Sequence, residues 1–467
     1  MERLTKYSDR LFFLFVLLLP LQTVYLLREP MIGGAKWQYG TIGIFASALS
    51  LAAAVMIAAI GRSRQANAEG IRDPFRGLIS EPLPRVSLIL FVLWAFLSVA
   101  WSEDRALALY GALTILLAAD AFVMGRDLTR RGKGGMIRDI LILGAVLQAL
   151  VGIGQFVTQE TFSSAFLGTA SHPVWEAGTS VLKNGSGRWL RAYGTLPHPN
   201  AYGLFVAVGL FVVVHRIVGM RDKVDDRRHM IHRAVLIAAL PVLSLGLLVS
   251  FSRSAWAGFV VGATILFWRA VQDAFRFHSA DRMDALGKSV EIPGSRVKPG
   301  MTGKYAFAGI VAVVVSMAMF SWILRGVVFP RFDGAVVAQE GSVADRKTTY
   351  HDAWRVIGES PIVGAGMWNS TSALIRLDPE RPVWDVQPAH DVPLLVLADL
   401  GIPGLLFLFA LVIGSLVTAA RRKNTAALAM FLVFLPSLFL DHFLWDSVTG
   451  LLLLAVSFGM MSDEVST

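Results

Sequence analysis

The chain has 467 residues, of which 55% are hydrophobic and 16% charged, and its mean hydropathy is +0.58. A soluble chain usually carries about 25% charged residues, so the composition excludes an ordinary soluble enzyme and predicts an all-α integral membrane protein. The net charge of +9 would favour nucleic-acid binding in a soluble protein, but here the basic residues concentrate in links between apolar stretches. The absence of cysteine excludes disulfides, thiolate metal sites and a cysteine nucleophile.

About twelve apolar stretches have the length, or nearly the length, that a membrane span needs, which is about 20 residues. They are Leu11–Leu27, Gly40–Ile60, Val86–Ala100, Ala106–Met124, Ile137–Val157, Ala201–Val218, Ala234–Ser250, Ala255–Trp268, Tyr305–Leu324, Leu394–Ala419, Thr425–Leu440 and Trp445–Met461. With the N-terminus in the cytoplasm, Lys and Arg are about twice as frequent in the cytoplasmic segments as in the outer ones, as the positive-inside rule requires. The first stretch lacks a small-residue cleavage site, so we expect it to be retained as a span.

This topology divides the chain into three parts. They are residues 1–324, which carry spans one to nine and basic cytoplasmic links; residues 325–393, a large loop on the outer side of the membrane; and residues 394–467, which carry the last three spans. Residues 279–304 are rich in Gly, Pro and Ser and are expected to form a flexible cytoplasmic loop. Within the outer loop, the spacing of residues 345–357 predicts an amphipathic helix, which either lies on the membrane surface or presents Arg346 to a substrate.

Four polar clusters are predicted to meet at the outer face of the membrane. They are residues 188–200, the turn 250–254, the loop 325–393 and residues 441–446. Arg253 stands between two apolar stretches, where an arginine either snorkels to the interface or binds phosphate oxygens through its bidentate guanidinium. In the first cluster, Asn200 is the predicted N-cap of the sixth span, and His198 is expected to be structural rather than catalytic.

His390 lies where the outer loop enters the tenth span and is the best candidate for a general base. A neutral imidazole can remove a proton from a hydroxyl near neutral pH, and a carboxylate beside it can fix its tautomer. That carboxylate is either the adjacent Asp391 or one of Asp441 and Asp446. Asp399, inside the tenth span, is expected to face a cavity or to pair with a neighbour.

No metal or nucleotide cofactor is predicted. The sequence contains no HExxH motif, no Cys/His cluster, no P-loop and no dinucleotide fingerprint. If a diphosphate is the leaving group, arginines would have to stabilise its charge in the place of a divalent cation.

Five motifs occur in order on the predicted outer face. They are Arg191-Ala-Tyr-Gly-Thr-Leu-Pro-His-Pro-Asn200, Ser250-Phe-Ser-Arg253-Ser-Ala-Trp256, Arg346 eight residues before Trp354 with Pro361-Ile-Val-Gly-Ala-Gly366 after it, His390-Asp-Val-Pro-Leu-Leu-Val-Leu-Ala-Asp-Leu-Gly401-Ile-Pro-Gly404, and Asp441-His442-Phe-Leu-Trp445. Together they resemble the O-antigen ligase / O-antigen polymerase family. The resemblance is best over about residues 188–461.

The resemblance implies a GT-C-like, metal-independent, inverting glycosyltransferase without a cofactor. Its donor would be a glycan on undecaprenyl diphosphate at the periplasmic face of the bacterial inner membrane. In a ligase the acceptor is a sugar hydroxyl of the lipid A core, and in a polymerase it is the end of another lipid-linked repeat unit.

The same resemblance assigns roles to residues of this chain. His390 would activate the acceptor hydroxyl, and the diphosphate would be bound by Arg191, Arg253 and Arg346. The supporting residues would be Asp391, Asp441 and His442. Asp391 departs from the family pattern, in which Asn often follows the histidine.

A twelve-span transporter or lipid flippase is the main alternative from another class. Such proteins usually carry coupling charges near the membrane midplane and an internal repeat, whereas here the candidate charges gather at one face and no matching halves are detectable. A non-catalytic scaffold of an envelope assembly complex would not require His390. We therefore predict the ligase, with the polymerase as the nearest alternative.

Overall fold

The computed structural model describes residues 2–69, 82–184, 187–219, 227–284, 302–328 and 341–462. The helices are α1 (Glu2–Leu18), α2 (Ala46–Glu69), α3 (Pro82–Leu97), α4 (Arg105–Arg130), α5 (Gly134–Thr158), α6 (Pro199–Val218), α7 (Arg227–Val249), α8 (Arg253–Asp284), α9 (Thr302–Ile323), α10 (Arg325–Val328), α11 (Gly341–Glu359), α12 (Ser370–Leu377), α13 (Val392–Arg421), α14 (Thr425–Leu440), α15 (Phe443–Asp446) and α16 (Val448–Met461). The strands are β1 (Val24–Arg28), β2 (Met31–Ile32), β3 (Ala35–Lys36), β4 (Ile42–Phe45), β5 (Val181–Asn184) and β6 (Gly187–Leu190), which form the antiparallel pairs β1–β4, β2–β3 and β5–β6.

Within the described residues, 6 helices are long and apolar enough to cross a membrane. They are Pro82–Ala100, Arg105–Arg130, Gly134–Thr158, Pro199–Val218, Met230–Val249 and Val392–Arg421, and shorter apolar helices cover Ala46–Gly61, Val311–Ile323, Thr425–Leu440 and Val448–Met461. The prediction of a mostly helical membrane protein is therefore confirmed. The number of about twelve spans and the position of the loops relative to the membrane stay predictions.

The predicted first span, Leu11–Leu27, is wrong in its second half. The helix α1 ends at Leu18, two residues before Pro20, and residues 24–28 form the strand β1. A proline lacks the N–H that a helix interior needs and disfavours helical backbone in the residue before it, so the helix ends here. The hydropathy after Pro20 comes from a two-stranded ribbon, in which Tyr25 and Leu27 are exposed.

The bundle is built around α6, in which nearly every side chain is buried by neighbouring helices. Close approach of membrane helices depends on small residues at their contact. In the antiparallel pair of α8 and α14, a Cβ added to Gly258 would stand 2.1 Å from the carbonyl oxygen of Val433. A larger side chain at this position would push the two helices apart. The contact therefore holds the end of α14, where Asp441 follows, beside the start of α8, where Arg253 lies.

The helix α13 is interrupted at Gly401, which has a left-handed backbone with φ of 64°. The loop that follows α11 binds to the backbone groups that the interruption exposes. The amides of Ala365 and Gly366 donate to the carbonyls of Ala398 and Asp399 over 2.9 and 2.7 Å. A Cβ at Gly401 would stand 2.0 Å from the carbonyl oxygen of Ile362, so only glycine fits. The segment 362–366 is thereby fixed to α13 around Gly401.

Candidate active site

Two histidines from distant parts of the chain meet at one end of the bundle. The rings of His390, just before α13, and His442, just after α14, lie 4.9 Å apart at their centroids and are perpendicular. Nδ1 of His442 lies 2.8 Å from a carboxylate oxygen of Asp446. The ring of Tyr39 packs edge-on against His442 at 5.9 Å. His442 is thus oriented by a carboxylate and an aromatic ring, with His390 beside it.

The surroundings give the two imidazoles different protonation states. Burial lowers the pKa of His390 to about 4, and the charges of His442 and Arg346 act in the same direction, against the opposing effect of Asp441. Burial would also lower the pKa of His442, but Asp446 and Asp441 raise it to about 9. Near neutral pH, His390 is therefore neutral and able to accept a proton, while His442 is an imidazolium.

A chain of hydrogen bonds connects Arg191 to the segment that carries His442. Nε of Arg191 donates to the carbonyl of Ser250 over 2.9 Å, and its Nη2 donates to Oδ1 of Asn200 over 2.7 Å. The side-chain Nδ2 of Asn200 donates in turn to Oδ2 of Asp441 over 2.6 Å. Burial would raise the pKa of Asp441, but the neighbouring histidines, His442 foremost, hold it below its usual value. Asp441 is therefore a buried carboxylate between the guanidinium and the histidines.

The predicted N-cap of α6 at Asn200 is wrong, because His198 is the cap. Nδ1 of His198 accepts from the backbone N–H of Asn200 at 3.2 Å, and its Nε2 lies 3.1 Å from Oγ of Ser180. The side chain of His198 is exposed, and its Nδ1 can accept this hydrogen bond only while it carries no proton. A neutral imidazole that serves as a helix cap has a structural role, and Asn200 keeps its side chain for the bridge to Asp441.

Arg346 reaches the site from α11, which covers the helix predicted at residues 345–357. Its Nη2 donates to the carbonyl of Leu440 over 3.2 Å, at the C-terminal end of α14, where a cation is favourable. Tyr350, one turn along α11, donates its hydroxyl to the carbonyl of His390 over 3.3 Å. Three consecutive residues therefore bring the site together. Leu440 contacts Arg346, Asp441 contacts Asn200, which in turn binds Arg191, and His442 contacts His390.

Arg253 is the first residue of α8 and is exposed. It follows the turn in which the carbonyl of Ser250 accepts from Arg191, so the two arginines belong to neighbouring backbone segments. Three further arginines of the loop form ion pairs with carboxylates. Arg355 and Arg381 pair with Asp352, and Arg376 pairs with Glu103. Arg331 lies outside the described residues.

Asp391 and Asp446, two of the carboxylates proposed to support His390, and Asp399 each have another partner. Oδ1 of Asp391 accepts from the backbone N–H of Leu394 over 2.8 Å and caps α13, whereas Asp446 binds His442. Asp399 is buried and accepts from the indole of Trp445 over 2.7 Å, so it is paired with a neighbour. Nδ1 of His390 is buried and has no hydrogen-bond partner among the described residues.

Two features of this arrangement were missed by reasoning from the sequence. The pairing of His442 with Asp446 had a signal, because residues four apart on a helical turn face each other. The contact of Tyr39 with His442 had no such signal, since Tyr39 comes from the short segment between β3 and β4.

The part of the chain that the structure describes contains no group of three or more His, Cys, Asp or Glu side chains suited to hold a metal ion.

These observations define a class: a helical membrane protein in which histidines, arginines and buried carboxylates gather at one end of the bundle. Residues 236–409 match the family model described as O-antigen ligase. The chain therefore carries an O-antigen ligase family domain, which confirms the resemblance found in its motifs. The family implies a glycosyltransferase-like enzyme. Arg253, Arg346 and His390 lie inside the matched segment, while Arg191 and His442 lie outside it. A search of curated proteins finds no match to the chain.

Proposed function

We propose that the protein is an inverting glycosyltransferase of the O-antigen ligase type. It moves a glycan from undecaprenyl diphosphate to a sugar hydroxyl of the lipid A core at the periplasmic face of the inner membrane. The observation that carries this proposal is the meeting of a neutral imidazole, His390, with an imidazolium and guanidinium groups at one end of an apolar bundle.

The chemistry is a single displacement at the anomeric carbon of the donor sugar. The acceptor hydroxyl oxygen forms the new bond to that carbon, and the bond from the carbon to the diphosphate oxygen breaks. His390 takes the hydroxyl proton, which a neutral imidazole is suited to do. The attack comes from the face opposite the leaving group, so the configuration is inverted.

The leaving diphosphate gains negative charge, which the cations of the site stabilise. Arg191, Arg253 and Arg346 would bind its oxygens, and guanidinium groups suit them because they form paired hydrogen bonds with phosphate. His442 adds a positive charge that Asp446 fixes in place. The same charge disfavours protonation of His390, so the base is kept neutral until the acceptor hydroxyl gives up its proton.

A reconstituted transfer assay tests this proposal. The full chain is placed in lipid vesicles with an undecaprenyl-diphosphate-linked glycan and either lipopolysaccharide core or a second lipid-linked glycan, in the presence of excess EDTA. A glycan attached to the core is the expected product. A lengthened lipid-linked glycan would assign the polymerase reaction instead. Strict dependence on added divalent metal would contradict the role of the arginines, and glycan movement across the vesicle without transfer would support the transporter.

A further inference from the structure

The ribbon formed by β1 and β4 carries an exposed apolar surface. Tyr25 and Ile44 stand directly opposite each other in the two strands, and such cross-strand partners place their side chains on the same face of a ribbon. Tyr25 is 72% exposed and Ile44 is 44% exposed. Leu26 and Leu27, the next two residues of β1, are exposed as well. A group of large exposed apolar side chains marks a surface for a protein partner or for a membrane.

The helix that follows the ribbon favours the membrane over a protein partner. The apolar part of α2 covers Ala46–Gly61, and α2 packs against α1. Leu49 and Met56 are seven residues apart and therefore share one face of α2, on which they are 62% and 60% exposed. An exposed apolar face of this kind on a membrane helix contacts lipid chains. Because β4 ends at Phe45 and α2 begins at the next residue, the exposed ribbon directly adjoins a lipid-facing helix.

The backbone of the ribbon determines how deep it can lie in the membrane. The pair β1–β4 is a two-stranded sheet, so each of its strands has one edge without a strand partner among the described residues. Backbone groups on such an edge need water, which the hydrocarbon core does not supply. Tyrosine, here Tyr25, is enriched in the layer between water and the lipid chains. The ribbon therefore suits the headgroup layer and not the hydrocarbon core.

The ribbon is fixed to the candidate active site through Arg28, the last residue of β1. Its Nη1 and Nη2 donate to the carboxylate of Asp104 over 2.9 and 2.6 Å, and Nη2 also donates to the carbonyl of Gly40 over 2.8 Å. Gly40 follows Tyr39, whose ring packs against His442. The ribbon thus holds a fixed position relative to the histidines, and its depth in the membrane sets theirs.

We propose that the β1–β4 ribbon is a membrane-surface anchor, with the bilayer itself as its partner. The face that carries Tyr25 and Ile44 packs among the lipid headgroups and the adjoining ends of the acyl chains. Its burial there removes apolar surface from water, which stabilises the contact. Arg28 passes the fixed depth of the ribbon to the segment of Tyr39. The anchor requires no glycan, so it stands or fails independently of the proposed function.

The absence of cysteine permits a direct test, because one introduced cysteine then carries the only spin label. Tyr25→Cys and Ile44→Cys report on the ribbon. Met56→Cys is the reference for the hydrocarbon core, since Met56 lies roughly 15 Å along the axis of α2 from its first residue, Ala46. Glu380→Cys is the reference for water, since Glu380 is exposed in the loop between α12 and α13. Each labelled full chain is placed in vesicles of phosphatidylethanolamine and phosphatidylglycerol without any glycan.

Electron paramagnetic resonance then gives the ratio of the collision rate with oxygen, which concentrates in lipid, to the collision rate with a water-soluble nickel chelate. We expect this ratio for Tyr25→Cys and Ile44→Cys to be several-fold higher than for Glu380→Cys and lower than for Met56→Cys. Melting temperatures establish that each variant is folded, and the two ribbon positions test the same face separately.

Two results would overturn the anchor. A ratio at either ribbon position equal to that of Glu380→Cys would show that the face lies in water. A label that neither reagent reaches, or a spectrum broadened by a second label nearby, would show that protein, such as a second copy of the chain, covers the face in place of lipid.

Discussion

Two polar regions lie close together at this end of the bundle, and they differ in how completely their hydrogen bonds are formed. In the segment 193–195, Oε1 of Gln155 accepts from the N–H groups of Tyr193 and Gly194 over 3.0 and 2.8 Å. Gln148 accepts from the N–H of Thr195 and donates to its hydroxyl, which donates in turn to the carbonyl of Pro20. Every one of these buried groups has a partner.

The histidine cluster of His390 and His442 is connected to the end of this segment through the hydrogen bond of Asn200 to Asp441, and it is incomplete by comparison. Nδ1 of His390 is buried without a partner among the described residues, and the pKa values of His390 and His442 are shifted in opposite directions. A satisfied network fixes the backbone, whereas an unsatisfied group with a shifted pKa is typical of a site that awaits a substrate. The comparison therefore separates the framework, at Gln148 and Gln155, from the reaction centre, at His390.

The largest effect on transfer is expected from His390→Ala. Removal of a general base typically costs about 10²–10⁴-fold in rate, so transfer should fall to background while the melting temperature stays close to that of the wild type. The matched control is His351→Ala, because His351 is exposed on α11. Retained transfer by His390→Ala in the vesicle assay would remove His390 as the base and with it the distinction between the two regions.

The second effect concerns the charge on His442. The transfer rate should rise as pH increases through about 4, where His390 loses its proton, and fall as pH increases through about 9, where His442 does. In Asp446→Asn the raised pKa of His442 should drop, so the upper limb of the pH–rate profile moves to lower pH and the rate near neutrality falls by about ten- to a hundredfold. An upper limb that stays near pH 9 would contradict the role of this ion pair.

The same ion pair makes a prediction for stability. Because the pKa of His442 is raised in the folded protein, its contribution is fully present below the unfolded value of about 6.5 and is lost as pH rises through about 9. The melting temperature of the wild type should therefore decline over that window more than the melting temperature of Asp446→Asn. Equal declines would show that the pair does not stabilise the fold.

A smaller effect is expected from Arg253→Lys. An ammonium keeps the charge but loses the bidentate geometry of the guanidinium, so KM for the lipid-linked donor should rise by about tenfold or less. The control is Arg188→Lys, since Arg188 is exposed in β6. If donor kinetics are the same in both variants, Arg253 only snorkels to the membrane interface.

The smallest effect on transfer is expected in the framework. Gln155→Ala leaves the N–H groups of Tyr193 and Gly194 unpaired, which should lower the free energy of unfolding by about 1–3 kcal/mol, while the transfer rate per folded molecule changes little. The exposed Gln387 provides the control substitution Gln387→Ala. Loss of transfer without loss of stability in Gln155→Ala would mean that this region takes part in the reaction.

Much of the fold was predictable, because hydropathy and the helical spacing of residues 345–357 depend on local sequence. The first span was wrong after Pro20, since an exposed apolar strand has the same hydropathy as a helix. The interruption of α13 at Gly401 depends on a loop that binds there, and the packing of Tyr39 against His442 joins two distant segments. Such contacts follow from tertiary packing, which no local pattern contains.

The central claim is that a lipid-linked diphosphate binds where His390 and the arginines meet. The most direct measurement is an electron cryo-microscopy structure of the full chain with undecaprenyl diphosphate. We predict that the phosphates lie within hydrogen-bond distance of Arg191, Arg253 and Arg346, with His390 beside the terminal phosphate. A diphosphate bound away from these arginines, with His390 out of its reach, would contradict the account.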